Sequence, residues 1–202
     1  MGRIAKKIME KINFVVENTS KSPMAVTYRF IRTNLQFIGA RQDIEIYLLY
    51  FQCARRGEIY HCVPHGHVTG REKVLLVDCD LRKPIQHKVF GVISQGVANC
   101  LAPRIPFAQV VYPNVSPNLD FLTSGPVPPN PVKLIASEKI EQLLPQARRN
   151  YDYVLIDLPP VLAVTDAAIL GNLADGVARP STGKNDLPGY QSGAVYPCRS
   201  VR

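Results

Sequence analysis

Three carboxylates hold most of the chemistry this sequence can do. Asp78 and Asp80 close the stretch "KVLLVDCDLRKP", and Asp157 closes "YDYVLIDLPP". In both, a continuous apolar run precedes the acid, the pattern of a strand buried on both faces of a parallel sheet. Ligands of such sheets bind beyond the carboxyl ends of the strands. Asp78 and Asp80 are two residues apart, so in an extended chain their side chains leave on the same side. Carboxylates converging there repel one another unless a cation joins them. Mg2+ suits the role, because it takes few protein oxygens and keeps waters and phosphate oxygens. A carboxylate beside such an ion can also accept the proton of an attacking hydroxyl.

The elements that must position these acids alternate between strand and helix. Val74–Val77 and Val154–Ile156 read as buried strands, and "NLDFLTSG" offers another. "NPVKLIASEKIEQLLPQARRN" reads as helix, capped by Asn130 with Pro131 in its first turn and kinked or ended by Pro145. Before the sheet, Ile4, Ile8, Ile12 and Val15 form one helical stripe, and Ser22-Pro23 opens a second helix containing Arg29 and Arg32. The fold expected is α/β, a parallel sheet flanked by helices. Its first strand survives as "IYLLYF", and its last is expected to be lost. The final 25 residues, punctuated by Gly and Pro, read as an irregular tail.

Composition narrows the class. Of the net charge of +8, residues 1–46 supply +4, 47–72 supply +1 and 177–202 supply +3, while 73–176 carries nine basic and nine acidic groups. A nucleic-acid face clusters its basic residues on a folded element, so the excess at the ends argues against nucleic acid. It suits a membrane surface or an acidic partner. The start "MGRIAKKIMEK" does not read as a signal peptide, and Lys6 breaks the myristoylation pattern. With five cysteines at irregular spacing, free thiols in the cytoplasm are expected. Cys53, His61, Cys62, His65 and His67 lack the paired short spacing of a structural zinc site.

The motifs are similar to those of one family. "VLLVDCDLRKP" resembles the Walker A′ motif and "YVLIDLPP" the Walker B motif of the bacterial tyrosine kinases of capsular and exopolysaccharide biosynthesis. "HKVFGV", "NLDFLTSGPVPPNPVKLIAS", "DLPPVLAVTDAAIL" and "SPMAVTYRFIRTNLQF" resemble the same family, so that residues 20–46 and 73–177 are covered. The resemblance implies a P-loop fold, ATP and Mg2+ as cofactors and autophosphorylation on tyrosine. It also implies a membrane-embedded activator, the polysaccharide co-polymerase, and ring-shaped homo-oligomers at the inner face of the cell membrane. By position, Asp78, Asp80 and Arg82 are the catalytic residues it implies. Asp78, Asp157 and Pro159 are the nucleotide-binding ones, with Asp78 and Asp157 toward the metal. Arg29 and Arg32 match an oligomer contact whose Glu position holds Val26.

The phosphate loop itself is missing. It needs G-x-x-x-x-G-K-[ST], glycines letting backbone N–H groups surround the phosphates while Lys neutralises charge, and no such string occurs. Where it belongs stands "YFQCARRGEIYHC", residues 50–62. Read one nucleotide later, permitted codons for these thirteen residues spell "TSSAPGEGKSTTA", and "RPSTGKNDLP" can spell "VLRQVKTTYR". Compensating frameshifts around residues 47–72 and another near 177 explain both. Four segments result: an N-terminal helical and oligomerisation segment 1–44, an aberrant segment 45–72, a kinase core 73–176 and a tail 177–202. The expected function is an ATP-dependent protein-tyrosine kinase impaired in this copy. Its competitors are a partition-type P-loop ATPase and a non-catalytic module that holds a membrane activator.

Overall fold

The computed structural model describes residues 33–34, 46–50, 72–101, 105–158, 166–178 and 195–197. The helices expected near the N-terminus with Arg29 and Arg32, residues 51–71 with most of the stretch read as replacing the phosphate loop, the five zinc-like residues and Pro159 lie outside the described residues.

One sheet organises the described residues. Its strands are β1 (Ile46–Tyr50), β2 (Val74–Asp78), β3 (Tyr112–Ser116), β4 (Leu119–Leu122), β5 (Tyr153–Leu158), β6 (Gly176–Ala178) and β7 (Val195–Pro197), in the order β3-β4-β2-β5-β1-β6-β7. The five inner strands β4, β2, β5, β1 and β6 are parallel, and β3 and β7 add antiparallel edges. Val74 to Val77 and Val154 to Ile156 are all buried, as continuous apolar runs in a sheet covered on both faces should be. After β2 the chain leaves toward β3 and β4; after β5 it leaves toward β6, on the other side. The crevice between β2 and β5 is therefore the switch point, where open α/β sheets bind their ligands.

The helices are α1 (Gln86–Val89), α2 (Val97–Leu101), α3 (Phe107–Val110), α4 (Pro131–Ile135), α5 (Glu138–Arg148) and α6 (Asp166–Gly171). One expectation for residues 131–148 needs correction: the helical run is two helices, since the first ends at Ala136 and the second starts from Ser137, which is extended at ψ 147°. Of the two outcomes expected at Pro145, a kink or an end, the end does not occur, because the second helix runs on to Arg148. Ile140, Leu143, Leu144 and Ala147 bury one stripe of α5 at helical spacing, and at roughly 2 kcal/mol per large side chain that burial outweighs the lost backbone bond. Asn130 caps α4 as its type and position suggest, accepting the Lys133 N–H at 3.2 Å.

The far end of the sheet also differs from expectation. A short β6 pairs parallel with β1, so the last strand is not lost. Within the tail, Val195–Pro197 pairs antiparallel with β6, covering backbone groups that an edge would leave unpaired.

Candidate functional site

Strand register brings Asp78 and Asp157 together. They are Cα partners on the adjacent parallel strands β2 and β5, where neighbouring strands lie about 4.8 Å apart. Cys79 N–H donates to Asp157 C=O at 2.9 Å and carries the pairing one residue beyond β2. Both carboxylates are buried, at 1% and 5% exposure. Burial above all, with the nearby Asp80 charge, raises the Asp78 pKa to about 7, while N–H donation from Asp80 and contacts with Ser124 oppose the rise. Burial and then the Asp78 charge push Asp157 well above the usual carboxylate range.

Asp80 does not join them as an equal. β2 ends at Asp78, so the extended-chain expectation that Asp78 and Asp80 project to the same side does not apply beyond it. The Asp80 carboxylate instead accepts the N–H groups of Arg82 at 3.2 Å and Lys83 at 3.0 Å. It shapes the turn whose first N–H, that of Asp80 itself, binds Asp78 Oδ1 at 3.0 Å. Arg82 is also engaged: its Nε lies 3.1 Å and its Nη2 3.3 Å from the two oxygens of Asp166, a carboxylate buried to 1% exposure. This fork ties the turn after β2 to the start of α6.

Three residues that the sequence reading did not single out complete the site. Gln86 Nε2 donates to Asp157 Oδ2 across 71 residues. Ser124, whose hydroxyl lies 3.4 Å from the Gly125 carbonyl oxygen, sits close enough to Asp78 for its hydroxyl and backbone N–H to favour the ionised carboxylate. The loop carrying Ser124 sits against Gly96, where an added Cβ would fall 1.7 Å from the Thr123 carbonyl oxygen, so only glycine permits the approach. Val97 and Ala98 N–H then donate to the carbonyls of Thr123 and Ser124. Asp166 gave a weak signal, an acid in the first turn of a helix; Gln86 and Ser124 gave none.

The donor set suits a hard cation. Asp78 Oδ2 is buried with no hydrogen-bond partner, and so is Gln86 Oε1. Among the described residues no group of three or more His, Cys, Asp or Glu side chains is placed to hold a metal ion. Two carboxylates with one orphaned oxygen are nevertheless what Mg2+ commonly takes from a protein when phosphates and waters supply its other ligands. β1 lies beside β5 with Leu49 opposite Asp157 and Tyr50 opposite Leu158, so β1 ends level with the Asp157 end of the crevice.

A parallel sheet with a carboxylate pair at its switch point defines an open α/β domain that binds its ligand at the carboxyl ends of its strands. No family model matches the chain. The tyrosine-protein kinase YwqD of Bacillus subtilis (strain 168) is 37% identical over 178 residues, covering 86% of this chain and 75% of that protein. The tyrosine-protein kinase Wzc of Salmonella typhi is 37% identical over 146 residues, 71% of this chain, which spans only 20% of its length. The crystal structure of the chimerical protein CapA2B2 superposes with a TM-score of 0.75 at 30% identity, over 86% of this chain and 77% of that one. The chain belongs to the bacterial tyrosine-protein kinase family. Among its described residues no helix is long and apolar enough to cross a membrane.

Proposed function

We propose that this chain descends from an ATP-dependent, autophosphorylating protein-tyrosine kinase of capsular or exopolysaccharide biosynthesis, and that this copy keeps the carboxylate half of the site without the phosphate loop. The observation that carries the reading is the register pair Asp78–Asp157, with Asp78 Oδ2 unpartnered, in a chain 37% identical to a tyrosine-protein kinase. Asp78 and Asp157 would hold Mg2+, which when bound screens the phosphate charge. Asp78 would also take the proton of the attacking tyrosine hydroxyl. Asp80 shapes the turn that aims a backbone N–H at Asp78, and Arg82 holds that turn against α6 through Asp166. Pro159 follows Asp157 by two residues in the Walker B-like stretch and belongs to the nucleotide side.

Micromolar nucleotide binding amounts to about 8 kcal/mol, and each charge-assisted bond contributes roughly 1.5–3 kcal/mol. A phosphate loop supplies several such bonds. Arg55 or Arg56 can attract a phosphate as a charge but cannot replace a ring of backbone donors. Calorimetric titration of the full chain with ATP and Mg2+ should give a millimolar or weaker affinity and no tyrosine phosphorylation; saturable micromolar binding would refute the impairment. Sequencing codons 45–75 and 175–180 tests its origin, since no phosphate loop in the alternate frame would end the frameshift reading.

By the same descent, the chain would sit at the inner face of the membrane against an embedded polysaccharide co-polymerase, in homo-oligomers involving Arg29 and Arg32. Retention by that partner without ATP hydrolysis would mark this copy as a non-catalytic module.

A further inference from the structure

Gln86 has a half-used side chain in a place where half-used polar groups are rare. The residue is 3% exposed and opens α1. Phe90 closes that helix and packs on Phe121 of β4 with ring centroids 4.5 Å apart, so the helix is anchored to the sheet. One end of the Gln86 amide, Nε2, donates to Asp157 Oδ2, while Oε1 has no partner. With Asp157 ionised, as a cation beside it requires, reversing the amide would set Oε1 against a carboxylate oxygen, acceptor against acceptor, so Nε2 is the donor. Packing alone does not account for an amide here, because an apolar side chain of the same length would fill the space equally well without donating to Asp157. The unpartnered Oε1 joins the unpartnered Asp78 Oδ2 through Asp157, giving two acceptors without donors around one carboxylate pair. A hydrated divalent cation answers both needs, since the metal takes carboxylate oxygens and its retained waters donate hydrogen bonds.

We propose that Gln86 is a positioning residue: its Nε2 fixes the Asp157 carboxylate, and its Oε1 accepts a hydrogen bond from a water of a divalent cation held at Asp78 and Asp157. The inference rests on the cation reading given above and adds to it the side chain that orients the site. Partners of this kind commonly change metal affinity by 10–100-fold when removed.

The test uses the full chain and Mn2+ alone, with free Mn2+ followed by electron paramagnetic resonance. Asp78→Asn and Asp157→Asn should abolish binding, and Gln86→Met should weaken it about 10-fold or more. Gln86→Asn, which keeps the amide but withdraws it by one methylene, should fall between. Melting temperature measured without metal separates the roles: a purely structural Gln86 would lower it and leave Mn2+ affinity within twofold of wild type, overturning the proposal. Side-chain amide resonances of glutamine-labelled protein need no Gln86 variant. The Gln86 signal should be displaced from the solvent-exposed position and should move in Asp157→Asn. If the wild type and Asp157→Asn take up Mn2+ equally while that signal still moves, the cation reading fails and the positioning of Asp157 stands. A Gln86 amide signal at its free position, unmoved by Asp157→Asn, overturns the positioning itself.

Discussion

Two buried aspartates at opposite ends of the same sheet are treated very differently. Asp120, near the start of β4, is 5% exposed and saturated with donors. Its Oδ2 receives the Tyr151 hydroxyl at 2.7 Å and lies 3.6 Å from Lys73 Nζ, and its Oδ1 receives the Asn114 N–H at 2.8 Å. Asp78, at the end of β2, is buried more deeply, faces another carboxylate, and leaves one oxygen unpartnered. The first arrangement pins the starts of β2, β4 and β5 and the turn in β3. The second is a poor way to stabilise a fold and a good way to hold a cation or a proton. Buried polar groups that stabilise are satisfied, and an unsatisfied carboxylate facing a second one at the ligand-binding end of a sheet marks a candidate site.

The widest gap between the two ends should open with pH. The Asp78 pKa stands at about 7 in the folded chain against an ordinary 3.8. Below 3.8 the carboxyl is protonated folded or unfolded, and burial carries no ionic penalty. As pH rises from 3.8 to 7 the unfolded chain releases a proton that the folded chain keeps, so stability falls across that window and the full penalty stands above 7. That gap corresponds to on the order of 4 kcal/mol. In metal-free buffer Asp78→Asn should therefore raise the urea midpoint at pH 8 and change it little at pH 3.5. A loss of stability at pH 8 would mean that the carboxylate is already satisfied.

Asp120 should respond in the opposite sense. Asp120→Ala strands the Tyr151 hydroxyl in a buried setting and takes the acceptor from the Asn114 N–H at the surface, a loss of about 2–3 kcal/mol at pH 7 by urea denaturation. Smallest is Lys73→Ala. Its ammonium stacks 4.7 Å from the Tyr151 ring centre and approaches Asp120, but the side chain is 54% exposed, so about 0.5 kcal/mol is expected. A Lys73 effect equal to that of Asp120→Ala would show that charge, rather than donor saturation, holds this end.

The contrast was half legible in the sequence. Continuous apolar runs announced β2 and β5, and an acid closing each run placed Asp78 and Asp157 at the ligand-binding ends. The same reasoning misplaced Asp80, because nothing in "DCD" shows that the strand stops at its first acid. Gln86–Asp157 and Arg82–Asp166 join residues 71 and 84 positions apart. Such pairings follow from strand order and from where short helices dock, which one sequence does not disclose. The break at Ala136–Ser137 was hidden for a related reason: the apolar spacing runs on across it while the backbone does not.

The central claim is that a working half-site awaits a missing loop. It is tested most directly by replacing residues 50–62 with "TSSAPGEGKSTTA" and titrating the original and exchanged chains with ATP and Mg2+ in parallel by calorimetry. The exchanged chain should bind at least about 100-fold more tightly, a gain of roughly 2.7 kcal/mol, and should lose that gain when Asp157→Asn is added. Equal affinities for the two chains, or a gain indifferent to Asp157, would contradict it.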